Sequence, residues 1–172
     1  MDDLPRWHRR VLESAVYDRV AQLSGPTLDG VTQPFRRLVV DRLAEQGAVV
    51  RCVASRIGPM RTADGETVDA DASFANEPGF LFDALVLPDG CEGAADDARA
   101  LDSVRDVYRH CKPIFALGSG AEVLGRAGIA SEADDAGLII ASNGDAARQI
   151  DRFIGVLGAP RDFGRETDPP RV

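Results

Sequence analysis

Two side chains in this sequence combine nucleophilic chemistry with a position where α/β proteins use it. The stretch "PIFALGSGAEVLG", residues 113 to 125, predicts a buried strand, a Gly-Ser-Gly turn and the start of a helix. A corner of that kind lifts a nucleophile above the sheet in many enzymes, and Ser119 stands on it. The local pattern "LGSGA" departs from GxSxG, because Leu117 replaces the first glycine. A serine nucleophile also needs a base to take its proton. The two histidines of the chain, His8 and His110, fall in an N-terminal arm and in the last turn of a helix. His110 is expected to serve a helix C-terminus, as a cation or through a hydrogen bond to a free carbonyl. The expectation for the corner is therefore modest: Gly118 and Gly120 let the backbone turn, and Ser119 caps the helix.

Cys91, in "PDGCEG", is the second candidate. Asp89 and Glu92 beside it would raise its pKa, the wrong direction for a thiolate nucleophile, so an incidental loop thiol is expected. Cys52 and Cys111 lie on apolar stripes and are expected as small core residues. Three cysteines without a CxxC spacing indicate neither a disulfide framework nor a zinc site, and fit a reducing cytoplasm. "GSGAEVLG" could offer backbone N–H groups to a phosphate. Neither GxGxxG nor GxxxxGK[ST] is present, and Glu122 already occupies the favourable electrostatic position. The acidic runs "EADD" and "AADDAR" are expected as solvated loops and helix starts. No cofactor and no metal are expected.

The elements that must position these residues follow from patterning. With 172 residues, 44% hydrophobic and 28% charged, the chain suits one globular domain. A net charge of −8 argues against nucleic acid as a partner. No apolar run approaches the roughly 18 residues of a membrane span, and the N-terminus lacks a signal-peptide pattern, so a cytoplasmic protein is expected. Residues 1–17 predict a basic helical arm carrying Trp7, a candidate partner contact. "DRVAQLSG" predicts a first strand, unless the arm helix runs on to Leu23. In "PFRRLVVDRLAEQG" the residues Phe35, Leu38, Val39, Leu43 and Ala44 are expected to face inward, with Gly47 as the C-terminal cap. "AVVRCVA" is a strand, and Asp64-Gly65 predicts a hairpin standing off the main sheet.

"FDALVLPDG", "PIFAL" and "GLIIA" predict strands of about five to seven residues, apolar on both faces as in a parallel sheet. Helices intervene: one capped by Asp96 or Asp97 with Leu101, Val104, Val107 and Cys111 inward, a short one ended by Gly128, and a last one presenting Ile150, Phe153, Ile154 and Leu157. The tail from residue 159 to residue 172 is expected to run extended along the surface. The alternation predicts an α/β domain over 18–158, with the loops "LSGPTLDG", "PDGCEG" and "GSGAE" on one edge of the sheet.

Taken in order, "AVVRCVASRIGPMRTADGETVDADASF", "FDALVLPDG", "VRDVYRHCKPIFALGSGAEVLGRAGI" and "GLIIASNGDAARQIDRFIGVLGAPRDFGRE" resemble the C-terminal domain of large-subunit catalases. That domain belongs to the class I glutamine amidotransferase-like, or ThiJ/PfpI, superfamily. The resemblance implies a flavodoxin-like three-layer sandwich with a mainly parallel sheet, a small β-hairpin excursion and the N-terminal arm. In active ThiJ/PfpI-type members the corner carries a cysteine, and the resemblance lays Gly118 on that position. Such members tend to have a Gly-Gly pair where this chain has Pro88-Asp89-Gly90, and a carboxylate there repels a developing oxyanion. Asp29 falls near the place of a catalytic acid.

The expected protein is thus non-catalytic, its vestigial corner and crevice formed by Gly118, Ser119, Gly120, Asp29, Asp89, Gly90 and Cys91. It is too short to hold the catalase barrel, and Tyr17 and Tyr108 lie outside any haem-binding motif. A binding, oligomerising or stabilising module is expected, as a dimer by default and in association with a catalase core. The rival expectations are a hydrolase, glyoxalase or redox sensor using Cys91 or Ser119, and a small-ligand binder.

Overall fold

A computed structural model describes residues 19–23, 33–62, 64–129, 135–158, 163 and 165. Trp7, His8, Tyr17 and Asp29 lie outside the described residues. The architecture is α/β. Six parallel strands form one sheet in the order β5-β2-β1-β6-β7-β8. They are β1 (Arg19–Leu23), β2 (Val49–Ala54), β5 (Ala72–Ser73), β6 (Ala84–Leu87), β7 (Ile114–Leu117) and β8 (Leu138–Ala141). β6, β7 and β8 are four residues each, shorter than the five to seven expected, because each ends where its apolar run ends but starts one or two residues inside it.

Strand periodicity builds the two cores. Leu85 and Leu87 of β6 and Ile114 and Ala116 of β7 face one layer, while Ala84, Val86, Phe115 and Leu117 face the other. The first layer is closed by α2 (Ala98–Arg109) and α3 (Gly120–Arg126), the second by α1 (Gln33–Ala44) and α4 (Ala146–Leu157). This is the flavodoxin-like sandwich. Phe115 stacks on Phe153 with ring centroids 5.5 Å apart, and both are fully buried.

Helix ends follow the expected chemistry with one substitution of residue type. Asp97 is the N-cap of α2, its carboxylate accepting the Arg99 amide at 2.9 Å. Gly47 and Gly128 take positive φ of 83° and 81° just beyond α1 and α3, where glycine relieves the Cβ clash of the left-handed region. At the end of α2 that position is filled by Cys111, with φ 55°. The Cys111 amide reaches Tyr108 O and the Lys112 amide reaches Val107 O, the paired bonds of a Schellman turn.

The hairpin is present. β3 (Gly58–Arg61) and β4 (Thr67–Ala70) pair antiparallel around Asp64-Gly65. It forms its own sheet yet packs Met60, Val68 and Ala70 against Cys52 and Ala54 of β2.

Some inward and outward assignments are corrected. Ala44 is exposed, because at about 100° per residue it lies 100° or more round the helix from the buried Val39 and Leu43. Leu101 and Leu157 face inward as expected, packed against the two cores while half-buried. Of the expected surface tail, Phe163 is exposed but Arg165 is 5% exposed and paired with Asp135, whose side chain is buried rather than solvated.

Candidate functional site

The chain leaves β1 towards β2 on one side, while β6 is laid down on the other, so the sheet reverses its winding between β1 and β6. In open parallel sheets the crevice beyond the carboxyl ends of the strands at such a reversal is where ligands bind. The segment after β6, Pro88 to Glu92, and the corner after β7, Gly118 and Ser119, stand on this edge.

The corner is built from both segments. Gly118 has φ 52°, and a Cβ added there would overlap the Asp89 carboxylate. Asp89 Oδ1 accepts the Ser119 amide at 2.8 Å. A Cβ at Gly120 would overlap the Leu87 carbonyl oxygen, so this glycine lets α3 start hard against the end of β6. Close backbone approach, not a reacting group, dictates both glycines.

Ser119 does not cap α3. Its backbone is already helical, φ −64° and ψ −14°, and no cap bond is made by its side chain; a capping side chain needs an extended backbone at that position. Instead the Ser119 hydroxyl accepts the Gly90 amide at 2.7 Å and donates to Glu92 Oε2 at 2.7 Å. Glu92 is therefore a member of the cluster that patterning missed. No local signal marks it, since the partners are 27 residues apart in the chain.

Cys91 leaves the crevice altogether. Gly90, at φ 81°, turns the chain downward, and Cys91 enters the core beside Leu87, Ala94 and Val123 with no exposed surface. Burial, then the charges of Glu92 and Asp89, push its thiol up to about 12. A thiol in that state is neither ionised nor reachable. All three cysteines are buried, and none forms a disulfide.

The remaining candidates serve structure. His110 terminates α2 with Nδ1 2.7 Å from Asp106 O, the helix-end role expected of it. Asp97 receives the Ser55 hydroxyl at 2.6 Å besides capping α2, tying the end of β2 to that helix. Among the described residues no three His, Cys, Asp or Glu side chains gather as a metal site, and no helix is long and apolar enough to cross a membrane.

Comparison with known proteins places this geometry in a family. The family model for the C-terminal domain found in long catalases matches residues 19–166. The chain is 31% identical over 165 residues to catalase HPII of Mycobacterium avium, covering 87% of this chain and 23% of that protein. It is 29% identical over 141 residues to catalase C of Rhizobium meliloti (strain 1021), covering 80% and 19% respectively. The chain thus spans about a fifth of the length of these relatives. Among solved structures, its fold is similar to a ThiJ/PfpI domain protein from Brachyspira murdochii, with TM-score 0.70 and 16% identity over 82% of this chain and 96% of that one. A two-domain protein from Anabaena variabilis with DJ-1/ThiJ/PfpI-like and ferritin-like domains gives TM-score 0.71 at 19% identity, covering 82% and 48%.

Proposed function

Because the chain belongs to the family of C-terminal domains found in long catalases, we propose that it is a non-catalytic module that binds and stabilises, associating with itself and with a catalase core. The observation that carries this reading is the corner at Gly118. The position carries no side chain, and the Asp89 carboxylate fills the space in which one would stand. A negative group there opposes the oxyanion that acyl-transfer chemistry has to stabilise.

The alternative, a hydrolase, glyoxalase or thiol sensor, has less behind it. Cys91 is fully buried with its thiol pushed up to about 12. The Ser119 hydroxyl spends its proton on Glu92 and its lone pair on the Gly90 amide. Exposed Phe80 and Leu81 supply an apolar surface of the type that association covers. Three buried cysteines without a disulfide suit a reducing cytoplasm as its location.

The test is light scattering on the isolated chain, then on the chain mixed with a long catalase shortened by this domain. A two-fold assembly, or capture of the shortened catalase with a raised melting temperature, is the expected result. Turnover of an ester or a dicarbonyl by the isolated chain, abolished by Ser119→Ala, would overturn the reading.

A further inference from the structure

We propose that Val49, Phe80 and Leu81 form the surface on which a catalase core docks, at the edge of the sheet opposite the crevice. This inference rests on the association proposed above and adds the place where it happens.

The six strands of the main sheet run parallel, so their first residues share one edge. Val49 opens β2 and pairs with Arg19, which opens β1. It alternates with Arg51 and Val53 along the strand, and Val53 belongs to the first core, so Val49 projects on the side of that layer. Arg51 Nη2 donates to Glu77 Oε1 at 2.8 Å, which holds the segment after β5 against β2 just inside Val49. From Glu77 the chain crosses to α2, where a Cβ on Gly79 would overlap the Ser103 carbonyl oxygen and the Phe80 ring lies 6.1 Å from that of His110. Leu81 then stands just before β6.

The three side chains are 53%, 48% and 44% exposed. Of the six large apolar side chains exposed among the described residues, these three share one edge of one layer, whereas Ile57 follows β2 at the carboxyl edge. The turn that carries two of them is firmly held. Lys112 donates from Nζ to Phe80 O at 2.7 Å and to Phe82 O at 2.5 Å, the Leu81 amide reaches Pro78 O at 3.0 Å, and Phe82 is 1% exposed. An apolar surface on a fixed backbone binds without first having to be ordered.

The place at which the chain enters the domain identifies the partner. The family match begins at residue 19, where β1 begins. The family stands at the C-terminus of long catalases, and the chain spans only 19% and 23% of two such relatives. In those proteins the bulk of the polypeptide therefore enters this domain beside Val49. A neighbour joined there is held at high effective concentration over this edge, and exposed apolar groups are what such a neighbour covers.

The test mixes the full chain with a long catalase shortened by this domain and still active on peroxide. Leu81→Lys and Val49→Lys should each weaken capture roughly tenfold or more, because a charge is costly inside an apolar contact. Ile57→Lys, at the opposite edge, should leave capture unchanged. Radical footprinting of the wild type needs no variant: oxidation of Phe80 and Leu81 should fall in the complex, and that of Ile57 should not. Equal capture by the wild type and both variants, or protection of Ile57 in place of Phe80 and Leu81, would overturn this surface and leave the association standing. No capture by the wild type would overturn both. Variants that lose self-association but keep capture would assign the surface to a contact between copies, and the proposal would fall.

Discussion

The carboxylate of Asp89 occupies the place that a side chain on Gly118 would take. The two residues come from the ends of adjacent strands, β6 and β7, and the contact closes the corner from above. Substituting Gly118 by Ala should cost about 2 to 4 kcal/mol, from left-handed strain at φ 52° and from the overlap together. Adding Asp89→Ala should recover roughly 1 kcal/mol or more of that loss, because touching residues are not additive. Urea unfolding midpoints of the two single variants and the double variant check this; strictly additive costs would contradict the contact.

Ser119 should matter for stability through Gly90 and Glu92. Removing its hydroxyl takes the acceptor from the half-buried Gly90 amide, and Ser119→Ala should cost about 1 kcal/mol. A cycle with Glu92→Gln separates this from helix capping. Coupling of roughly 0.5 kcal/mol or more is expected, whereas a capping serine would show none.

Cys91 should make the protein sensitive to alkali. Its thiol is pushed up from 9.0 to about 12 by burial, then by Glu92 and Asp89. Between those values the unfolded chain gives up a proton that the folded chain keeps. The stabilisation is complete below pH 9 and is lost as pH rises towards 12, at about 1.4 kcal/mol per pH unit. Cys91→Ala should be less stable at neutral pH, by about 1 kcal/mol or more, and should lack that part of the alkaline decline. Denaturant unfolding from pH 8 to pH 11, wild type against variant, reads the difference in slope.

Cys111 and Cys52 are both buried but should respond differently to the same change. Cys111 is held at φ 55°, a conformation a β-branched residue strongly resists, while Cys52 lies in β2. Cys111→Val should cost about 2 kcal/mol or more, and Cys52→Val less than about 1.5 kcal/mol. Equal melting temperatures for the two variants would show that the helix end relaxes out of the left-handed region.

The order of elements, the hairpin and the glycine ends of two helices were readable because each depends on residues close together in the chain. Asp64-Gly65 specifies its turn, Gly47 and Gly128 their helix ends, and the apolar runs at 84–87 and 114–117 their burial on both faces. The expectation of a corner without a nucleophile at Gly118 came from the family resemblance, which lays this glycine on the position of a cysteine. Ala44 was misassigned because counting apolar residues without their angular position overstates a stripe.

The partners could not be read. Ser119 with Glu92, Ser119 with Asp89 and Arg165 with Asp135 join residues 27 to 30 apart, and Arg165 reaches Lys112 across 53. Such pairs are made only when strands lie side by side and a segment crosses back over them. A serine that patterning casts as a helix cap is turned instead towards a neighbouring loop, and a cysteine among acidic residues is drawn into the core. Short-range pattern establishes which elements form and where the chain must bend, since that depends on local backbone geometry. Which side chains meet, and which of them water can still reach, is a property of the packed layers alone.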